Sequence, residues 1–340
     1  MTTQLDASIG FKKETVFGTA VTVDRFLEFT DESLDFDRAY YQGSGLRPGA
    51  RSPRSGRRTL SRDGGAGDIG LEVPTRGTGA LLELLLGVGA STLVSGSVYQ
   101  QLFTPIANDF LPTATIQKGV PRLGANVVDA YTLRGAVCSS FEFSAAAEDV
   151  LKLKTTWKSK DVDTAIAYAT PSYPAALDLF SFVGASLSLG GVVTLPTATA
   201  LATGGTAASN VRDFSVTVEN GLDSNGYNLG GGGKLTRPPA VGVLGIKGKI
   251  TAEYDAQTLR DAVRDQTSMA LVATFVGPTQ ISAGQFPTLQ IVLPDIRLEG
   301  ELPKSNAGDV IVQSIDFTAF DNLVAPKPIY IVSRTADTAL

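Results

Sequence analysis

Five carboxylates stand close together near the amino end, at Glu28, Asp31, Glu32, Asp35 and Asp37. Paired carboxylates can hydrolyse a glycosidic bond, one as acid and one as base or nucleophile. No aromatic-lined sugar pattern surrounds these five, so three other readings stand beside it: an acidic face that repels phosphate, an acidic face that receives the arginine-rich segment that follows, and solvated hairpin charge. The next segment has the opposite sign. Between residues 38 and 62 lie Arg38, Arg47, Arg51, Arg54, Arg57, Arg58 and Arg62, with no acid. Proline and glycine interleave with them, which predicts a long loop rather than a helix. The arginines could form a basic arm that docks on acidic surface of another subunit through forked, charge-assisted hydrogen bonds. A solvated loop and a nucleic-acid contact are the alternatives.

Three glycine-containing segments imitate ligand motifs. Gly65-Ala66-Gly67-Asp68-Ile69-Gly70 fits the dinucleotide fingerprint in letters, but it enters an extended stretch instead of opening a helix. Gly230–Gly233 with Lys234 resembles a phosphate loop, yet Asn228 and Leu235 occupy the positions that need Gly and Ser or Thr; a mobile hairpin loop is expected. Asp223–Asn228 offers oxygen ligands with its glycine misplaced for a calcium loop, so an Asx-type turn is expected. The chain has no histidine and one cysteine, Cys138, which removes imidazole catalysis, His or Cys zinc ligation and any internal disulfide. Cys138 reads as a small buried hydrophobe. No catalytic residue, cofactor or metal is predicted.

Composition narrows the class. The 340 residues are 43% hydrophobic and 19% charged, with 36 glycines and a net charge of −5. Glycine above the usual ~7% and low charge suit short strands joined by turns. The acidic balance argues against a dedicated nucleic-acid binder. The longest apolar stretch, Ala80–Ala90, is too short to span a membrane, and the opening residues lack a signal-peptide core, so synthesis in a cytoplasm is expected.

The elements that must position these residues are mostly strands. Period-two alternation marks Ser140–Ser144, Leu151–Lys158, Val211–Glu219, Thr288–Leu293, Ile296–Glu299 and Ser314–Phe320. Thr78 is placed to cap a helix over Gly79–Leu86 that stops at Gly87, and Asp255 to cap a second over Ala256–Gln266. The stretch Leu195–Asn210 is expected to be an exposed loop. The fold class is therefore mainly β, with antiparallel sheets and two short helices.

The element order runs twice: an acidic or alternating strand, a Gly-rich loop, a strand, a helix, then further strands. Thr113–Gln117 is aligned with Thr288–Val292, and Leu133 with Leu298. The reading is a duplication, with a first β-domain over 1–168, carrying the arginine loop 38–62, and a second over 175–340. Chance likeness of two strand-rich halves is the alternative.

The run IGFKKETVFGTAVTVDRFLEFTDESLDFD, with Gly10, Glu14, Gly18 and Thr19, resembles the opening of major tail tube proteins of long-tailed, non-contractile (siphovirus-type) bacteriophages. GDIGLEVPTRGTGALLELLLG, YTLRGAVCSSFEFS, NVRDFSVTVENGL, FPTLQIVLPDIRLEG and VIVQSIDFTAFD extend the likeness over nearly the whole chain. The resemblance implies an antiparallel β-sandwich or barrel flanked by a helix, and a non-enzymatic virion protein of the tail. Such subunits self-assemble as stacked rings around a channel through which DNA leaves without specific binding. A duplicated chain implies trimeric pseudo-sixfold rings; hexameric rings are the alternative. It further implies ring stacking through the long loop (Arg47, Arg51, Arg54, Arg57, Arg58, Arg62), a negative lumen to which the five acids could contribute, tape-measure and tail-tip partners, and no membrane. The competing functions are a baseplate ring, decoration or head–tail connector subunit, and a carboxylate-based tail depolymerase.

Overall fold

Strands form where side chains alternate. Phe214, Val216 and Val218 are buried in the strand Val211–Glu219 while Asp213 and Glu219 are exposed, within the predicted bounds. Leu153 and Trp157 are buried in Lys152–Ser159, with Lys152, Lys154 and Lys158 exposed. The computed structural model describes residues 4–340 apart from 175–176, 209, 224, 256, 301–302, 304–307 and 309.

Two long strands organise the molecule, and each changes partner part-way. The first, Val127–Ala146, pairs at its start with Ala114–Arg122 and Asp161–Asp163, and at its end with Lys152–Ser159. The second, Thr288–Gly300, pairs at its start with Met269–Val276 and Tyr330–Thr335, and at its end with Val312–Ala319. Gly135 marks the switch in the first: its φ is +60°, and a Cβ there would meet the Phe17 ring at 2.6 Å. Only glycine accepts both conditions.

The switching strands divide the chain into two layers. The inner layer is one continuous antiparallel sheet of eight strands. Its order is Phe29–Glu32, Gly65–Glu72, Lys152–Ser159, Val127–Ala146, Val211–Glu219, Gly245–Glu253, Val312–Ala319 and Thr288–Gly300. The outer layer has two parts. Arg25–Leu27, Ser8–Lys13 and Ala114–Arg122 lead to one long strand. Ala185–Leu189 and Met269–Val276 lead to the other, followed by Tyr330–Thr335 and the hairpin Val98–Pro105 with Gly87–Ser95. Phe103, Phe141, Phe143, Phe214, Phe317 and Ile291 belong to one buried cluster. The sheets make a sandwich, and none closes into a barrel among the described residues.

Both helices form, with different starts. The first spans Gly79–Leu86 and ends at Gly87, whose φ is +96°. Thr78 makes no side-chain cap bond, because its own backbone is already helical (φ −91°, ψ −10°). The second spans Thr258–Asp265 and starts from Gln257, not Asp255. Asp255 instead accepts a hydrogen bond from the Asn210 amide at 2.9 Å; Ala256 lies outside the described residues.

Other expectations need correction. Residues 38–62 are not a plain loop: Ala39–Gln42 pairs with Arg58–Arg62 as a two-stranded ribbon. Thr113–Gln117 and Thr288–Val292, aligned above, hold different places in their ladders: Ala114–Arg122 is a neighbour of the first long strand, whereas Thr288–Val292 is the start of the second. The stretch Leu195–Asn210 is not wholly exposed, since Ala202 is buried and exchanges hydrogen bonds with the Gln290 amide. Its Thr and Ala residues lie along the outer layer, with Ala207–Ala208 paired to Leu187–Ser188.

Candidate assembly surfaces: an open sheet face and an arginine arm

The inner sheet packs one face on the core and leaves the other uncovered by the described residues. Residues directly opposite in a ladder share a face. Glu142 pairs with Lys154 and Thr217, and Lys154 pairs with Gly70, which pairs with Asp31. The same row continues through Lys247, Thr318 and Arg297 on the other side. Parallel rows add Asp68, Glu72, Asp213, Glu219, Glu253, Asp316 and Glu299 against Lys152, Lys158 and Lys249. Carboxylates outnumber cations on this face. Lys154 bonds Asp68 at 3.0 Å. Burial works to raise the Asp68 pKa, but hydrogen bonds from Thr156 and Lys154 outweigh it and hold the carboxyl below its ordinary value.

The five predicted acids do not act as one group. Asp31 and Asp35 lie on the open face, Asp31 directly over Gly70, where any Cβ would collide with its carboxylate. Glu32 turns to the opposite side and pairs with Lys118 at 2.5 Å. Asp37 pairs with Arg62 at 2.6 Å. Glu28 lies outside the strands, at the wall of a cleft. Most of the carboxylates on the face come from strands whose acids are spaced singly, such as Glu142, Asp316 and Glu299. Period-two position is the only sequence signal that could have found them.

The arginine arm grows out of the same sheet. The ladder between Asp35–Phe36 and Gly65–Ala66 runs on through the bond from the Asp37 amide to the Gly64 carbonyl into the ribbon. Every residue of Arg58–Arg62 is exposed, as are Tyr40, Tyr41 and Leu46. Arg58 lies over the Tyr40 ring, 4.7 Å from its centroid, and Arg57 packs along Gly43 and Gly45. Arg47, Arg51 and Arg54 at the tip meet no carboxylate among the described residues. A two-stranded ribbon alone is marginal in water, so the arm is a surface that gains from a partner.

Its root is held by buried charge. Asp161 has a side chain 1% exposed and accepts two hydrogen bonds from Arg134, at 2.8 and 2.5 Å, and one from Lys234 at 2.7 Å. Lys234 also lies 3.6 Å from Asp63, which pairs with Arg38 at 2.6 Å. Burial works to raise the Asp161 pKa, and the two cations overcome it and keep it low. The segment Gly230–Lys234 is a hairpin loop, as expected, and its lysine is anchored on Asp161. Asp223 forms the expected Asx turn, accepting from the Asn225 amide at 2.8 Å.

A second buried carboxylate, Glu14, explains the opening motif. It accepts from the amides of Gly18 and Gly135 and the hydroxyls of Thr113 and Thr115, all within 2.8 to 2.9 Å. Gly10 has no room for a side chain, because a Cβ there would stand 2.7 Å from the Phe26 ring. Cys138 is fully buried, its thiol pushed up by desolvation. No group of three or more metal-ligating side chains occurs among the described residues.

The family model described as phage tail tube protein matches residues 4–319. The chain belongs to the phage tail tube protein family. It is a structural protein of the virion tail, and its β-rich sandwich and uncovered sheet face fit that role. None of the curated proteins compared with the chain matches it. No helix among the described residues is long and apolar enough to cross a membrane.

Proposed function

We propose that this tail tube protein carries two tube folds in one chain, over 1–168 and 175–340, and that three copies close into a pseudo-sixfold ring of a siphovirus-type tail. The observation that carries the reading is a repeated ladder. In the first half Ser8–Lys13 pairs with Ala114–Arg122, which pairs with the long strand, which pairs with Lys152–Ser159, then Gly65–Glu72, then Phe29–Glu32. In the second half Ala185–Leu189, Met269–Val276, Thr288–Gly300, Val312–Ala319, Gly245–Glu253 and Val211–Glu219 follow in the same order.

The halves join where Ser140–Ala146 pairs with Asp213–Glu219. The equivalent edges at the two ends of the inner sheet, Phe29–Glu32 and Arg297–Gly300, have no further strand among the described residues. Repeating the internal junction between copies joins them and removes both edges. Eight strands from each of three copies give a barrel about 37 Å across at the backbone for untilted strands ~4.8 Å apart, and wider with tilt. The open face then lines the channel, and its acidic excess keeps DNA phosphates from condensing on the wall during ejection. The arm, through Arg47, Arg51, Arg54, Arg57, Arg58 and Arg62, stacks one ring on the next. Tape-measure and tail-tip proteins are the partners of such a tube, and the role requires no turnover.

Negative-stain electron microscopy with native mass tests this. Hollow tubes or rings with three chains per ring are expected. Six chains per ring would overturn the pseudo-sixfold reading, and a chain that stays monomeric even with tail-tip complex added would overturn the tube.

A further inference from the structure

The arm and a cleft lie at opposite ends of one ribbon. The cleft, of about 630 Å³, is lined by Phe26, Glu28, Leu71, Glu72, Arg76 and Tyr173 among others. Glu72 ends the strand whose first residue, Gly65, adjoins the arm root, and Glu28 precedes its antiparallel neighbour. From Glu72 to the arm residue Arg58 the ribbon spans roughly 45 Å at about 3.3 Å per residue. One molecule thus presents cationic side chains at one end and a cleft at the other.

The chemistry of the two ends is complementary. Glu28 and Glu72 make no ion pair among the described residues, while Arg76 is already held by Asp337 at 2.9 Å. Phe26 and Tyr173 meet edge to face, centroids 6.1 Å apart, and Tyr173 is 40% exposed. Two carboxylates lining one cleft with an aromatic surface suit a guanidinium, which hydrogen-bonds carboxylates and stacks on rings. The arm tip supplies Arg47, Arg51 and Arg54, which meet no carboxylate among the described residues.

We propose that the cleft of one copy receives the arginine tip of a second copy in the next ring. The contact is heterologous and head to tail, so it repeats without closing and builds a filament. It rests on the stacking role given to the arm above and adds the receptor for it.

Three variants of the full chain test it by tube length in electron microscopy. Reversing the cleft charges (E28R with E72R) and reversing the tip charges (R47E, R51E and R54E) are each expected to stop growth at single rings, and combining the two sets to restore tubes. Normal tubes from the cleft variant, with growth stopped in the tip variant, would overturn the cleft as receptor and leave stacking by the arm intact. Normal tubes from both would overturn the stacking reading as well. A second measurement does not depend on tube growth. R51C with E28C, oxidised at high protein concentration, is expected to give a ladder of disulfide-linked chains that R51C alone does not give. Buried Cys138 leaves that readout clean. No ladder would overturn the proposal.

Discussion

The two helices occupy the same place in the two halves, between an inner strand and the outer layer, and differ in almost every other respect. In the first, Leu81, Leu82, Leu84, Leu85 and Leu86 are all buried. In the second, Ala262 alone is buried, and Arg260, Arg264, Asp261 and Asp265 face outward or pair with one another. The cause is the segment that each helix leads into. The first runs into the hairpin Gly87–Pro105, which packs on it and then pairs with Tyr330–Thr335 of the other half. The second has no such hairpin, so its outer side stays wet. A hairpin that follows one helix and not the other separates a buried helix from a surface helix. The arm belongs to residues 1–168 alone, whereas the Asp161 cluster takes Arg134 from there and Lys234 from 175–340.

That contrast can be broken at its strongest point first. Asp161→Ala leaves Arg134 and Lys234 without their shared carboxylate and is expected to cost about 3–5 kcal/mol in urea unfolding. A loss below ~1 kcal/mol would mean that the cluster does not join the halves. Leu84→Ala in the covered helix is expected to cost about 3 kcal/mol. Leu259→Ala, half-buried in the open helix, is expected to cost less than ~1.5 kcal/mol. Equal losses would end the distinction between the two helices.

Acid sharpens the comparison by a smaller step. Asp161 and Asp68 both have carboxyls held below their ordinary values in the folded chain. Their stabilisation is fully present above the unfolded carboxylate range near pH 4 and is lost as pH falls through the lower folded values. The urea midpoint is therefore expected to drop between about pH 5 and 3, and Asp161→Asn to flatten that drop. A midpoint that rises on acidification would reverse the assignment. The smallest effect is expected at Arg264→Ala, where an exposed pair with Asp265 is removed. Its thermal midpoint should stay within ~1 °C of the parent, as exposed ion pairs contribute little.

Some of this was written in the order of residues. The alternation of Phe214, Val216 and Val218 against Asp213 and Glu219 dictates a half-buried strand wherever it sits, because successive side chains point to opposite faces. Gly87 dictates a helix stop because few other residues adopt its left-handed geometry. The absence of histidine and the single cysteine excluded whole chemistries, and the opening motif around Gly10, Glu14 and Gly18 carried the family resemblance. Tertiary structure decided what spacing cannot encode. Glu14 is a structural knot only because Gly135 comes to it from across the fold. The acids of the open face belong together only because eight strands from both halves share one ladder, while Glu28 to Asp37, adjacent in sequence, are sent to different surfaces. Lys234, drawn from a glycine-rich loop, becomes an anchored, half-buried cation because the buried Asp161 lies opposite it. Local pattern fixes which face of a strand is apolar; which strands become neighbours is set by the pairing of distant segments, and the assembly surfaces arise from that pairing.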